Sequence, residues 1–274
     1  LWYVAADGTS FSEVLPENLG NAINNPSWSA DGRRILFIKT SPNKGENGIF
    51  SVRPNGSELT PVYKDNDEQL RKYYQLCADN KNENIVFSLE IPRAGRSVIE
   101  LFTMCPCGNR VVRLTSFETS SSSPMSTESY AGSFSAADSL LIFTQSNPDQ
   151  TGLKDVKIYT INMTTKELKT IKTIKARNAE TAVPSFSLLD GRILLSIDGL
   201  IHIMNADGSN FKALGNLKGF HPSWDRDGKT FYFSSYGIEG MEQGVYKADI
   251  NLTSIQRITR TPAIGIHGGF SVNL

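Results

Sequence analysis

HPSWDRDGKTFYF, residues 221–233, is a phrase the chain repeats. Residues 25–37 read NPSWSADGRRILF, and residues 183–195 read VPSFSLLDGRILL. A looser copy, AGSFSAADSLLIF, fills residues 131–143, and the chain ends on a partial one, HGGFSVNL, residues 267–274. Each full copy reads as a short apolar strand, a tight turn at Asp-Gly or its equivalent, and a second strand alternating toward Phe or Leu. Self-similarity at a period of roughly 40–55 residues marks a repeat architecture.

Working outward, a third strand and another turn dipeptide follow each copy. Ile49-Phe50-Ser51-Val52 precedes Asn55-Gly56, and Ile201-His202-Ile203-Met204 precedes Asp207-Gly208. The chain opens on the same pattern, LWYVA at residues 1–5 before Asp7-Gly8. Unit two is therefore expected to hold strands at 26–29, 34–40, 49–53 and 59–63. Unit three is degenerate, with strands expected at 73–77, 85–91, 98–104 and 110–115 and a longer first turn at 79–84 that lacks Gly. A Ser-rich connection, residues 116–126, reads as an exposed loop because the repeat resumes after it. Unit four follows at 132–135, 140–145, 156–162 and 167–171. Unit five is expected at 184–187, 192–197, 200–205 and 211–214, and unit six at 222–225, 230–235, 245–249 and 255–259. Helical periodicity is hinted at only in DEQLRKYY, residues 67–74.

Joining the lone first strand at 269–274 to the third strand at 1–5 gives a closing unit built from both termini. A ring of sheets closed in this way hides its edges. The expectation is an all-β, six-bladed propeller occupying residues 1–274 as a single domain.

Composition bounds the function. The chain carries 28 basic and 28 acidic residues, and no basic block is interleaved with aromatics, so the footprint of a nucleic-acid binder is missing. No apolar run approaches the roughly 18–20 residues of a membrane-spanning helix. Hydrophobic content of 39% suits a folded chain rather than a disordered one. No Gly-rich phosphate loop opens a helix, so no nucleotide, flavin or haem cofactor is expected. Cys105-Pro106-Cys107 and Cys77 form neither a disulfide framework nor a four-ligand zinc site. Adjacent-but-one cysteines rarely bridge, since the backbone between them must strain. Cys105 and Cys107 are thus expected as turn thiols and Cys77 as a half-buried one, the alternative being a bridge from Cys77 to either.

The phrase PSWSADGRRILF, residues 26–37, resembles the repeat of TolB-type β-propellers. That family continues with a third strand of the Ile-Tyr kind, a Gly, and then Leu-Thr. Here these read Ile49 to Gly56 with Leu59-Thr60, Val245-Tyr246 with Ile258-Thr259, and Arg113-Leu114-Thr115. The resemblance spans nearly the whole chain. It implies a WD-repeat-like propeller exported to the periplasm or outside the cell. A signal or lipoprotein segment upstream of Leu1 is then expected to have been removed. Function does not follow from the fold, because propellers host many unrelated roles.

Gly132-Ser133-Phe134-Ser135-Ala136 resembles a hydrolase elbow but lies on a repeat strand and lacks the final Gly. Asp225-Arg226-Asp227-Gly228 is the repeat's own turn rather than a calcium loop. His202 holds the slot of Trp2, Phe50 and Tyr246, a core-aromatic position. His221 and His267 share an equivalent slot just before the first strand, where Asn25, Tyr74 and Val183 are also placed. First strands line a propeller's channel, so Asn25, Tyr74, His221 and His267 are expected at its mouth, with Tyr236 on the same face. That inventory offers hydrogen bonds and stacking but no nucleophile paired with a base. The expectation is a monomeric, non-catalytic platform that binds a protein, peptide or glycan, without metal or cofactor. The alternative is a metal-dependent lyase for acidic oligosaccharides. Propeller-fold lyases of that class resemble this arrangement in placing channel histidines on a metal.

Overall fold

The computed structural model describes residues 1–16, 22–41, 46–64, 72–81, 83–93, 96–117, 128–148, 153–177, 182–237 and 240–259. These residues hold twenty-two strands and no helix. None is therefore a helix long and apolar enough to cross a membrane.

An antiparallel hairpin opens the chain, β1 (Trp2–Val4) with β2 (Phe11–Glu13). Five four-stranded meanders follow. The first is β3 (Ala22–Trp28), β4 (Ile35–Thr40), β5 (Gly48–Val52) and β6 (Thr60–Lys64). Next come β7 (Tyr73–Ala78), β8 (Ile85–Arg93), β9 (Arg96–Met104) and β10 (Val112–Arg113). The fourth unit is β11 (Glu128–Phe134), β12 (Leu140–Pro148), β13 (Lys154–Asn162) and β14 (Leu168–Ala176). The fifth is β15 (Ser185–Phe186), β16 (Ile193–Ile197), β17 (Leu200–Met204) and β18 (Lys212–Lys218). The last is β19 (Phe220–Trp224), β20 (Thr230–Ser235), β21 (Gly244–Asp249) and β22 (Ile255–Arg257). Units three and four also touch edge to edge, through one parallel bridge between Glu128 and Ile99.

The Asp-Gly phrase closes the first hairpin of each meander with the same backbone bond. Ser29 N–H donates to Arg34 O at 2.9 Å, Ser135 to Leu140 at 2.9 Å, Ser187 to Arg192 at 2.7 Å and Asp225 to Thr230 at 2.9 Å. Asp79 N–H donates to Asn84 O at 3.0 Å, so the first turn of unit three has the same span and is not the longer one its sequence suggests. The Asp79 side chain braces this turn: Oδ1 accepts from Glu83 N–H at 2.8 Å, and Oδ2 accepts from Asn84 Nδ2 at 2.7 Å. Tyr73 and Tyr74 lie in β7 rather than in a helical turn, and residues 65–71 lie outside the described residues.

Middle strands such as β4, β12 and β16 are buried on both faces, which is why they read as near-continuous apolar runs. The cores lie between consecutive sheets. Val14 and Leu15 pack on Phe37 and Phe50, Ile38 and Ile49 on Tyr73 and Phe87, and Val86 and Leu101 on Phe143 and Tyr159. Ile142 and Ile158 meet Phe186 and Leu195, while Leu194 and Ile203 meet Trp224 and Phe233. Each sheet is therefore stabilised by its neighbours, as repeat units require. At the other side of the hairpin, the turn at Gly8 lies against unit six: a Cβ there would fall 2.7 Å from Ile258 O.

One expectation about the cysteines is corrected. Cys105 and Cys107 form a disulfide, their Cα atoms 5.2 Å apart. That lies within ordinary bridging range, because the tight turn folds the two residues toward each other and Gly108 beyond them takes a φ of 78°. Cys77 is free and buried, and burial pushes its thiol above the usual range.

Candidate functional site

The inner strands β3, β7, β11, β15 and β19 converge on a channel of about 340 Å³. Their slots are fixed by two repeated hydrogen bonds, the first-turn bond already described and one between neighbouring units. Ala78 N–H donates to Ser27 Oγ at 3.2 Å, Phe186 N–H to Ser133 Oγ at 2.7 Å, and Trp224 N–H to Ser185 Oγ at 3.4 Å. Ala78 thus shares the slot of Phe186 and Trp224, and Cys77 takes the serine's place. The following link, from unit three to unit four, comes from β8 instead, where Ser88 Oγ accepts from Ala131 N–H at 3.1 Å. Hydroxyls on the inner strands therefore join β3 to β7, β11 to β15 and β15 to β19, and Ser88 on β8 joins unit three to unit four. Sequence reasoning passed over these serine links, although Ser27, Ser133, Ser185 and Ser223 stand at one position of the repeated phrase.

Counting back from the serines places Asn25, Gln75, Ala131, Val183 and His221 in one ring. Asn25, Gln75, Val183 and His221 line the channel. Tyr74 does not. It sits one residue before the ring, its hydroxyl donating to Glu90 Oε2 at 2.9 Å and its ring edge-on to Tyr130 at 6.2 Å. Gln75 holds the slot that spacing alone assigned to Tyr74. Tyr236 is off the channel wall, 39% exposed and packed on Phe220 at 4.9 Å, beside His221 in the chain. His267 lies outside the described residues. At the opposite end, Asn80 and Arg226 share a slot with Ala30, Ala136 and Leu188.

Backbone geometry explains why Asn and His occupy the ring. The pairing of β3 with β4 shifts register between Asn24 and Ser27, and that of β19 with β20 shifts between Phe220 and Ser223. At these bulges Asn25 and His221 both take a φ of 51°. Asn and His enter this left-handed region more readily than most residues, and bulges re-aim side chains.

Burial drives the His221 pKa down to about 4, so the imidazole is neutral at physiological pH. A neutral imidazole donates one hydrogen bond and accepts another. The lining carboxylate, Asp79, is engaged by its own turn. His202 is elsewhere, stacked on Phe211 at 4.9 Å with Nδ1 2.8 Å from Leu200 O. Burial lowers its pKa, against the backbone bond. Among the described residues, no three His, Cys, Asp or Glu converge in a way that would hold a metal ion.

Four-stranded meanders, packed face to face with their inner strands around one channel, define a β-propeller. No protein-family model and no curated protein matches the chain. Solved structures do. The structure of a nidogen/laminin complex is similar with a TM-score of 0.67 at 13% identity, over 92% of this chain and 87% of that one. TolB from Acinetobacter baumannii is similar with a TM-score of 0.63 at 17% identity, over 90% of this chain and 56% of that one. An oligogalacturonate lyase from Vibrio parahaemolyticus gives a TM-score of 0.58 at 13% identity, over 90% and 71%. At such identities the likeness is one of fold.

Proposed function

We propose that this propeller is a non-catalytic binding platform whose ligand, an extended protein or peptide segment or a glycan, enters the channel at the Asn25, Gln75 and His221 ring. The observation that carries this reading is the ring itself. Asn25, Gln75 and His221, two amides and one neutral imidazole, are among the residues lining a cavity of about 340 Å³, on the scale of a ligand pocket. These groups recognise polar backbone or hydroxyl groups. Among the described residues, none of the three is shown paired with a carboxylate that would make an acid–base couple, which catalysis of proton transfer needs within hydrogen-bond reach. Tyr236 and Phe220 add an aromatic shoulder beside the ring, suited to stacking.

The platform is proposed to act as a monomer and as one domain over residues 1–274, outside the cytoplasm. Cell fractionation tests the location: recovery with cytoplasmic markers would refute it. The lyase reading has no observation of its own here, since its second channel histidine lies outside the described residues.

The test of the platform is a comparison of two immobilised chains, the wild type and the Asn25→Ala/His221→Ala variant, in the same cell-envelope extract. A partner held by the first is expected to be lost roughly tenfold from the second, the size of effect of losing one or two buried hydrogen bonds. If instead wild-type chain cleaves an acidic oligosaccharide only with a divalent metal, and His221→Ala abolishes that cleavage, the platform reading fails.

A further inference from the structure

We infer that the exposed Cys105–Cys107 bridge is a thiol–disulfide exchange site, able to pass its disulfide to thiols on another molecule. The bridge occupies the turn between β9 and β10. Three other units hold the equivalent turn without a disulfide: Ala5-Ala6-Asp7-Gly8-Thr9, Arg53-Pro54-Asn55-Gly56-Ser57 and Asn205-Ala206-Asp207-Gly208-Ser209. The backbone is the same in all four. Gly8, Gly56, Gly108 and Gly208 N–H donate to Ala5, Arg53, Cys105 and Asn205 O at 2.8, 2.8, 2.9 and 2.9 Å.

In the three sister turns a side-chain oxygen fastens the loop. Asp7 Oδ1 accepts from Thr9 N–H at 2.9 Å, Asn55 Oδ1 from Ser57 N–H at 3.1 Å and Asp207 Oδ1 from Ser209 N–H at 2.9 Å. Cys107 stands where those acceptors stand. The turn therefore forms without a covalent link, and a loop this short constrains the unfolded chain least of all. A bridge that adds so little to stability is placed where exchange is easy. Cys107 is exposed and Cys105 is partly buried, so an incoming thiolate reaches the Cys107 sulfur first.

The step balances with two external thiols. A thiolate attacks Cys107 Sγ and forms a mixed disulfide; the Cys105–Cys107 bond breaks, and its electron pair leaves on Cys105. That thiolate takes up a proton and donates it toward Asn109 O, which lies 3.3 Å from Cys105 Sγ. A second external thiolate attacks the first one's sulfur and departs as an external disulfide, and Cys107 leaves and is protonated. Two thiols are oxidised and the bridge is reduced to a dithiol.

The oxidised full chain is incubated in mixtures of reduced and oxidised glutathione, and free thiols are trapped by alkylation and counted by mass. Cys105 and Cys107 are expected to label together, at ratios that leave the melting temperature unchanged. Glutathione is expected to add faster to Cys107 in Cys105→Ser than to Cys105 in Cys107→Ser. With oxidised glutathione present to re-form the bridge, the chain should accelerate oxidation of a two-cysteine peptide roughly tenfold, given an accessible and labile disulfide. The double variant Cys105→Asn/Cys107→Asp restores a sister turn; it should keep the wild-type melting temperature and lose the acceleration. A pair that stays oxidised until the sheets melt, a double variant that melts well below wild type, or no acceleration by wild type would overturn the inference.

Discussion

Two residues in the channel wall carry opposite lessons about burial. His221 is held neutral, with a pKa pushed down to about 4 against an ordinary value of 6.5. Between those values the unfolded chain binds the proton and the folded one does not, so folding stability rises with pH across that window. The contribution is fully present above pH 6.5 and is lost as pH falls through 4. Urea midpoints should therefore decline from pH 6.5 toward 4, and His221→Gln should flatten that decline; an unchanged slope in the variant would count against the assignment. Gly132 is a matter of space rather than charge. A Cβ there would lie 2.4 Å from Pro184 O and 2.7 Å from Ile142 O, between two units. Gly132→Ala should destabilise by about 1–3 kcal/mol, the usual cost of overpacking, measured as a denaturant midpoint shift at constant slope. The residue scale is also where sequence reading slipped. Spacing alone puts Tyr74 in the mouth ring, because unit three has neither Pro nor Gly in its phrase to mark the register. The Asp79 to Asn84 turn bond and the Ala78 to Ser27 bond both show that Gln75 is the true equivalent.

At the scale of elements, the repeated phrase made most of the fold legible. Asp-Gly turns and period-two alternation give four strands per unit and their order, because these are local properties of the chain. The bulges in β3, β7, β11 and β19 were not legible, since they arise from pairing with the second strand; β3, β11 and β19 also start earlier than the apolar run suggests, whereas β7 starts at Tyr73 as expected. Nor was the Cys105–Cys107 bridge, which depends on how tightly a turn folds rather than on spacing. The serine links are inter-unit features, and they make a ranked prediction. Ser133 Oγ accepts from Phe186 N–H at 2.7 Å, whereas Ser185 Oγ accepts from Trp224 N–H at 3.4 Å. Ser133→Ala leaves a partly buried donor unmatched and should cost about 1–3 kcal/mol, with Ser185→Ala costing less. Equal midpoint shifts for the two would mean that these links do not join the sheets.

For the whole molecule, the proposal is a ring of six blades closed by residues 269–274, which lie outside the described residues. Its motive is the opening hairpin, which has no inner strands of its own among the described residues and whose Phe11 is 57% exposed. The turn at Gly8 beside Ile258 puts that hairpin next to unit six. Hydrogen exchange should then protect the Phe270 amide as strongly as that of Trp224, and rapid exchange at Phe270 would argue against closure.

On the proposed function, ligand binds at the mouth of the channel and not on the outer sheet edges. A photo-crosslinking side chain placed at Gln75, in the ring, is compared in living cells with one at Lys212, on the outer strand β18. A discrete covalent adduct is expected from position 75 and none from position 212. Adducts from position 212 with none from position 75 would contradict the proposed function.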